Sequence, residues 1–419
     1  MKIPPPSTIL IGVALAFLTV KDLQEIAGIR MVSLLIPIFL AALYASRLRE
    51  LAVPKMVLAY IIYICVILPL VSIANKGAIS IYEPYLIATV FCGYLLVAIP
   101  YSLLKRDTEW LGNMYLNAIL VMCVLSYLTF QKQWFGSYTI RSFSDFRTFF
   151  ALQASIAVPF VNGRHRNLVR GFLLATMFAT FSRLSFFLSA FVVVFQSFKE
   201  NKVRFILLLP ISLVLFAIFL LGTTPGNLML AEMASLTNLD SLNFGQHALD
   251  SSDVGRIAYL VTTIQHIDTE RVLFVGHGIK TNHEIIAKYL NTMAWHLPPG
   301  AAVATVHNVY LELLSDTGLL GLVPFVICLF YAGLTLARYR GVQSKYFISF
   351  AIFFLSYMFE ANYASFFFQF AVLYFLFAAY EARADALSIS RGSTRCSGLF
   401  GWIVEGYTHP CTISSLGNS

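Results

Sequence analysis

Long apolar runs alternate with short polar joints over most of the chain. A straight helix needs roughly 20 consecutive apolar residues to cross the hydrocarbon core of a membrane. The runs therefore predict a series of twelve membrane-spanning helices that fill most of the sequence. They lie at residues 8–20, 31–46, 56–74, 81–104, 110–130, 147–162, 171–182, 184–198, 203–222, 317–336, 346–360 and 363–382.

Two pairs of these runs are short for straight crossings. The first pair fills residues 171–198, turns at Arg183, and has basic clusters on both flanks that belong on one side of the membrane. The second pair fills residues 346–382 and turns near Glu360. Each span gains a few residues because flanking arginines lay their apolar stems along the membrane and keep their charge in water. Arg183 is therefore expected at or just below the outer interface.

The basic residues collect in alternate joints. If the N-terminus is cytoplasmic and each run crosses once, most of the 29 Lys and Arg residues fall on the inner side. Cytoplasmic loops of membrane proteins carry such an excess, so the pattern predicts twelve spans with both termini in the cytoplasm. The inner residues include Arg47, Arg49, Lys55, Lys105, Arg106, Arg164, Arg166, Arg170, Lys199, Lys202, Arg204, Arg338, Arg340 and Lys345.

One outer segment is far longer than the other joints and holds six of the eight histidines. Within it, SSDVGRIAYLVTTIQHI has apolar residues at helical spacing after a Ser or Asp that suits a helix N-cap, and we interpret it as an amphipathic helix. VLFVGHG follows as a short apolar element that ends in a glycine turn. The predicted organisation is 1–222 for nine spans, 223–316 for the loop, 317–382 for three spans and 383–419 for a cytoplasmic tail.

The composition supports an all-α polytopic membrane protein and argues against several kinds of partner and site. Of 419 residues, 58% are hydrophobic and 12% charged, whereas a soluble domain carries about a quarter charged residues. The mean hydropathy is +0.75. The excess of basic residues serves as a topology signal in such a chain, so no nucleic-acid partner is expected. The six cysteines form no CxxC pair, and neither a disulfide framework nor a zinc site is predicted.

Charged groups near hydrocarbon are costly, so each is a functional candidate until a structural partner is found. Arg183 has two interpretations: an interfacial arginine whose charge reaches water, or an anion clamp at the outer face. Arg256 begins the predicted amphipathic helix, where the helix dipole already presents partial positive charge. A guanidinium beside free helix N–H groups suits a phosphate or pyrophosphate. The alternative is that Asp250 or Asp253 neutralises Arg256.

His307 stands at the start of a further predicted helix, on which Tyr310, Leu311 and Leu314 share a face. A neutral imidazole near pH 7 can accept a proton from a hydroxyl group and make that group nucleophilic. The alternative is a hydrogen-bonded histidine at an interface. The HxxxH and HExxH spacings of metal sites are absent, so no metal ion is predicted.

The stretch HNVYLELLSDTGLLG resembles the signature of the O-antigen ligase and O-antigen polymerase superfamily. In that signature a His-Asn pair is followed, after nine residues, by a Gly-x-x-Gly pattern. His307, Asn308, Gly318 and Gly321 occupy these four positions.

Three further stretches carry the same resemblance, which covers roughly residues 165–340. LFVGHG resembles the glycine turn that precedes the signature, RIAYL resembles an Arg-x-x-x-Leu element that starts at Arg256, and FSRLS resembles a Ser-Arg step that ends at Arg183. Two residues depart from the family pattern. Leu184 follows the Ser-Arg step where a small residue is common, and Tyr259 stands where the loop helix often carries Trp.

The resemblance implies a GT-C-like, inverting, metal-independent glycosyltransferase of the bacterial inner membrane, with a periplasmic active site and no cofactor. Its donor would be a glycan linked to undecaprenyl pyrophosphate. Arg183 and Arg256 would hold the donor pyrophosphate and stabilise the charge that develops as the glycosidic bond breaks. His307 would orient or deprotonate the acceptor hydroxyl.

Three functions remain open from the sequence. A ligase would move a finished glycan onto the lipid A core, and a polymerase would move a growing chain onto another lipid-linked repeat unit. The spacing of the His-Asn and Gly-x-x-Gly elements and the RIAYL element favour the ligase. A transporter of lipid-linked glycan would also explain many spans, but transporters commonly show repeated halves around a midplane site. Here the polar residues gather in one outer segment.

Overall fold

The computed structural model describes residues 5–18, 32–77, 79, 81–128, 131–133, 137–139, 147–180, 182–200, 263–264, 267, 270–279, 308–358 and 365–394. Within these ranges the protein is a bundle of helices with one small hairpin. The helices are α1 (Pro6–Phe17), α2 (Val32–Leu43), α3 (Lys55–Lys76), α4 (Tyr82–Leu103), α5 (Thr108–Leu128), α6 (Arg147–Ala157), α7 (Arg166–Ala179), α8 (Arg183–Glu200), α9 (Glu270–Val275), α10 (Val309–Arg340), α11 (Lys345–Ser356) and α12 (Phe366–Thr394). Single 3₁₀ segments lie at Ala45–Glu50 and Val158–Phe160.

Five of these helices are long and apolar enough to cross a membrane: α3, α4, α5, α10 and α12. Shorter apolar helices lie at other predicted runs, and each run inside the described ranges coincides with a helix. The prediction of a helical membrane protein is thus confirmed. The run at 203–222, the predicted amphipathic helix apart from 263–264 and 267, and the tail beyond 394 lie outside the described residues. The count of twelve spans stays a prediction.

A two-stranded antiparallel hairpin joins α5 to α6. Its strands are β1 (Gln131–Gln133) and β2 (Ser137–Thr139), with Lys132 opposite Tyr138. The hairpin adds a small β element to the predicted all-α class. Strands of three residues are too short to show the alternating pattern by which strands are recognised.

The core of the bundle is formed around α12. Every residue from Ser365 to Ala379 is buried, which is typical of a helix that is apolar on all sides and packed on all sides. α4 approaches it closely at Gly93, where a Cβ would lie 3.2 Å from the backbone nitrogen of Phe370. α10 also packs against α12. α4 and α10 therefore share α12 as a packing partner.

α10 is bent near its start. Its backbone is non-helical at Gly318, with φ 64° and ψ −163°, so a short segment from Val309 to Thr317 precedes the long apolar segment. The predicted apolar run begins at residue 317, whereas the helix begins eight residues earlier, at Val309. The bend at Gly318 lies next to the start of the predicted run.

The long helices share two ends, which we name the Asn308 end and the Arg340 end after the flanks of α10. Lys76, the last residue of α3, lies at the Asn308 end, because its ammonium group donates to the carbonyl of Ile279. The backbone beside Ile279 is in turn bonded to α10 at Asp316. α4 begins shortly after α3 ends, so α3 and α4 run in opposite directions.

The start of α8 at Arg183 lies at the Asn308 end too. Thr108 begins α5 and donates its backbone N–H to Glu381 of α12 (3.1 Å), at the Arg340 end. The opposite end of α5 carries Tyr127, whose hydroxyl lies 3.3 Å from that of Thr176 in the last turn of α7. α8 begins a few residues after that turn.

Candidate functional site

Asn308 caps the helix that follows His307 in sequence. Its side-chain oxygen accepts a hydrogen bond from the backbone N–H of Leu311 (3.0 Å), which satisfies one of the free donors at the helix start. The N–H of Val309 donates to the carbonyl of Tyr357 (3.1 Å), just after α11. The chain therefore enters α10 at a point fixed both by its own cap and by a neighbouring helix.

Gly276 and Gly318 interlock two backbones. Gly276 ends α9 with φ 70°, and a Cβ on it would overlap the backbone of Asp316 and Thr317. A Cβ on Gly318 would overlap the backbone of Phe274 on the other side of the same contact. Positive φ and the lack of space both require glycine at these two positions.

Hydrogen bonds close this contact. The N–H of His277 donates to the carbonyl of Ser315 (2.9 Å), and the N–H of Gly278, at φ 113°, donates to that of Asp316 (2.7 Å). The glycine turn predicted at Gly276 and Gly278 is thus confirmed, and its partner is the bend of α10.

Gly321 makes room for packing inside the bend. A Cβ on Gly321 would overlap the side chain of Thr317, whose hydroxyl donates to the carbonyl of Leu313 (2.8 Å). The carbonyl of Gly321 accepts a hydrogen bond from the hydroxyl of Tyr63 in α3. The two glycines of the Gly-x-x-Gly pattern therefore serve different purposes: Gly318 allows the bend and Gly321 allows close packing around it.

The sequence analysis missed a polar cluster beside the glycine turn, which we name the clasp and which consists of Ser72, Asn75, Lys76 and Glu83. Glu83 accepts from the hydroxyl of Ser72 (2.6 Å) and from the ammonium of Lys76 (3.3 Å). Glu83 is 2% exposed and Ser72 is 0% exposed. The signal available in the sequence was a Lys and a Glu on either side of a short joint, with the Glu inside an apolar run.

The clasp binds the backbone of the glycine turn at three points. Ser72 accepts from the N–H of Ile279 (2.9 Å), and Lys76 donates to the carbonyl of the same residue. Asn75 donates to the carbonyl of Val275 (2.6 Å). The turn is therefore held by α3 on one side and by α10 on the other.

The structure describes some of the predicted site residues fully, one in its backbone only, and two not at all. Asn308, Gly318 and Gly321 lie together at the bend of α10. Arg183 begins α8 at the same end of the bundle, and its side chain lies outside what the structure describes. Arg256 and His307 lie outside the described residues.

The start of α8 offers a second feature of the predicted site. Ser182, directly before it, is buried, and its hydroxyl donates to that of Ser185 (3.1 Å). A helix start presents free N–H groups and partial positive charge, which favour a bound anion. In the described part of the chain, no three His, Cys, Asp or Glu side chains gather as a metal ion would require.

Comparison with known proteins identifies a family for this part of the chain. Residues 168–326 match the family model described as O-antigen ligase. The match spans Arg183, Arg256, His307 and the Gly-x-x-Gly pattern, and the resemblance to the O-antigen ligase and polymerase superfamily is confirmed over it. No curated protein matches the chain.

Proposed function

From the O-antigen ligase match of residues 168–326, we propose that this membrane protein is a glycosyltransferase that acts on a lipid-linked glycan. More specifically, we propose an O-antigen ligase. It would transfer polysaccharide from undecaprenyl pyrophosphate to the lipid A core oligosaccharide, at the periplasmic face of the bacterial inner membrane. The observation that carries the proposal is that one family match spans both candidate arginines and the candidate base.

The proposed reaction is a single displacement with inversion. The bond between the anomeric carbon of the glycan and the pyrophosphate oxygen breaks, and its electron pair stays on the pyrophosphate. The acceptor hydroxyl oxygen forms the new bond to the same carbon from the opposite face, and its proton passes to His307. Undecaprenyl pyrophosphate and the glycosylated core are the products.

Arg183 and Arg256 supply the positive charge in this proposal. Guanidinium groups bind phosphate oxygens through paired, charge-assisted hydrogen bonds. Groups that meet charge as it develops on the leaving pyrophosphate lower the barrier, so no metal ion is needed in this scheme. The position of Arg183 at a helix start adds the partial charge of the helix dipole to its own.

The rigid support at the Asn308 end favours an active site there. A capped helix start, a glycine interlock and the clasp fix the backbone immediately after His307. Reactions that depend on the placement of two reacting groups need such fixed supports, because a misplacement of about 1 Å can cost a factor of roughly 100 in rate.

A polymerase is the second candidate, because the superfamily includes both activities. In that case the acceptor is a sugar of another lipid-linked repeat unit. A transporter of lipid-linked glycan is the third candidate and would need neither a base nor bond cleavage.

Analysis of the surface glycan of a deletion strain tests the proposal. The strain is complemented with wild type, with His307→Ala, or with His165→Ala as a matched control, since His165 is exposed at the start of α7. A ligase leaves long chains on undecaprenyl pyrophosphate and bare core in the deletion and in His307→Ala, and His165→Ala restores the glycan.

Other outcomes separate the candidates. Core capped by a single repeat unit in the deletion strain identifies a polymerase. Donor trapped on the inner leaflet identifies a transporter and contradicts the proposed enzyme. Full glycan in cells that carry His307→Ala at normal protein level removes this residue from the mechanism.

A further inference from the structure

The clasp contains a charged pair in a costly place. Glu83 is 2% exposed and the side chain of Lys76 is 16% exposed, and both lie at the ends of apolar helices. Burying a carboxylate and an ammonium group is costly unless each is paired and hydrogen-bonded. The pair does more than connect α3 and α4 across their joint of five residues, because Lys76 also bonds Ile279, which lies outside both helices.

The pair holds a segment that is distant in sequence. Lys76 and Ile279 are 203 positions apart, and Ser72 and Ile279 are 207 apart. Both the N–H and the carbonyl of Ile279 are bonded by side chains of α3, and Ile279 is fully buried. Buried backbone groups need such partners, so the clasp fixes where the glycine turn lies.

The turn then fixes the start of α10. His277 and Gly278 bond the carbonyls of Ser315 and Asp316, which lie about two helical turns from Asn308. The segment between them is helical and capped, so it moves as a unit. A displacement of the clasp therefore reaches the residue next to His307.

We propose that Lys76 and Glu83 are positioning residues that hold the start of α10, and with it His307, against the acceptor in the transfer reaction. The inference rests on the proposed function for its reaction, and on the contacts above for its geometry. Neither residue needs to touch the substrate, because both act through the turn at Val275–Ile279 and the bend of α10.

The test uses purified full-length protein with a lipid-linked glycan donor and lipid A core as acceptor. Lys76→Met removes the charge and the bond to Ile279, Lys76→Arg keeps the charge, and Glu83→Gln keeps the shape of the partner. The matched control is Lys345→Met, because Lys345 pairs with Glu109 between two helices at the Arg340 end.

Positioning predicts a particular pattern of kinetic constants. In Lys76→Met we expect kcat to fall about 10- to 100-fold, as for a misplaced reacting group, while KM for the donor changes less than about twofold. The kcat of Glu83→Gln should fall as well, and that of Lys76→Arg should recover most of the wild-type value. The kcat of Lys345→Met should stay within about twofold of wild type.

A second readout does not depend on transfer activity. Diethyl pyrocarbonate acylates neutral imidazoles, and mass spectrometry of peptides resolves the modification of His307 from that of the other histidines. We expect the rate of modification of His307 to change several-fold in Lys76→Met and in Glu83→Gln, and to stay unchanged in Lys345→Met.

The outcomes separate the two proposals. Unchanged kcat and unchanged modification of His307 in Lys76→Met and Glu83→Gln, with only a lower melting temperature, overturn the positioning role. An equal loss in Lys345→Met overturns it too. If wild type transfers glycan to no acceptor, the proposed function fails, and the modification rates still decide whether the clasp positions His307. Should Lys76→Met not fold, Glu83→Gln carries the same test.

Discussion

Gly276 and Gly318 face each other backbone to backbone, and neither position has space for a Cβ. Gly276 has φ 70° and Gly318 has φ 64°, both in the region that favours glycine. The contact joins the end of α9 to the bend of α10, so it connects the predicted outer segment to a helix long and apolar enough to cross a membrane. The two glycines therefore form one structural unit, although 41 residues separate them.

Replacing Gly318 with Ala is expected to destabilise the protein strongly. The substitution adds a strained backbone conformation, which costs about 1–3 kcal/mol, and an overlap with the backbone of Phe274, which a flexible side chain cannot relieve. We expect a total loss of about 3 kcal/mol or more in the free energy of unfolding. Thermal unfolding of the purified protein in detergent measures it.

Two other glycines separate the causes of that loss. Gly341 has φ 83° and nothing within 4 Å of its Cβ position, so Gly341→Ala carries the backbone strain alone, about 1–3 kcal/mol. Gly171 lies inside α7 with open space around it, and Gly171→Ala should be neutral or stabilising by up to about 1 kcal/mol. A melting temperature for Gly318→Ala equal to that of Gly341→Ala would show that the interlock adds nothing.

Hydropathy located the apolar helices of the described ranges because such helices are built from continuous apolar sequence. It failed at the start of α10, where Glu312, Ser315 and Asp316 are buried although they are polar. The glycine turn, from an earlier part of the chain, bonds the backbone of Ser315 and Asp316 within this segment. The limit of the run at 317 was therefore the limit of the apolar sequence and not of the helix.

The motif residues could be found from the sequence, whereas the contact between the clasp and the glycine turn could not. Gly318 and Gly321 stand in a pattern of fixed local spacing. Lys76 and Ile279 meet only because α3 and the turn pack together across 203 positions, and no local pattern encodes that contact. Single-sequence reasoning recovers spacing within an element and loses pairs that tertiary packing creates.

A buried hydrogen bond between α3 and α12 gives a second prediction. The hydroxyl of Tyr60 donates to the side-chain oxygen of Gln369 (2.7 Å), and both residues are 0% exposed. Tyr60→Phe should lower the free energy of unfolding by about 0.5–1.5 kcal/mol, because hydrogen bonds between membrane helices average about 0.6 kcal/mol. Thermal unfolding measures the change.

The control for this bond is Tyr331→Phe, since Tyr331 is only half-buried in α10. We expect its melting temperature to match that of wild type, and equal effects of the two substitutions would rule out the bond between Tyr60 and Gln369 as the cause.

The pH dependence of transfer tests the proposed base. A general base must be neutral to accept a proton, so kcat/KM should rise with pH as the imidazole of His307 loses its proton. His307→Gln should abolish this rise and lower the rate about 100-fold or more. The transfer rates of the purified enzyme, measured at intervals between about pH 5 and pH 8, test both expectations. A rise that persists in His307→Gln would assign it to another group.

Asn308 should be needed for transfer out of proportion to its effect on stability. Asn308→Ala removes the cap bond to Leu311 and costs about 1 kcal/mol of stability, while Asn308→Asp keeps an equivalent cap. Ser344 provides the matched comparison, because its hydroxyl caps α11 at the Arg340 end by accepting from Phe347 N–H (3.2 Å). We expect Ser344→Ala to lose a similar amount of stability, measured by thermal unfolding, and to keep normal transfer.

Asn308→Ala, in contrast, should lose about 10-fold or more in kcat, because the chain next to His307 loses the cap bond that helps to fix the helix start. Asn308→Asp should recover most of that loss if the cap bond is its cause. Equal transfer rates in Asn308→Ala and Ser344→Ala at equal stability would mean that the helix start does not contribute to the reaction. A loss in Asn308→Asp as large as in Asn308→Ala would instead assign the effect to the amide group itself, since an aspartate caps the helix equally well but cannot donate a hydrogen bond to a sugar.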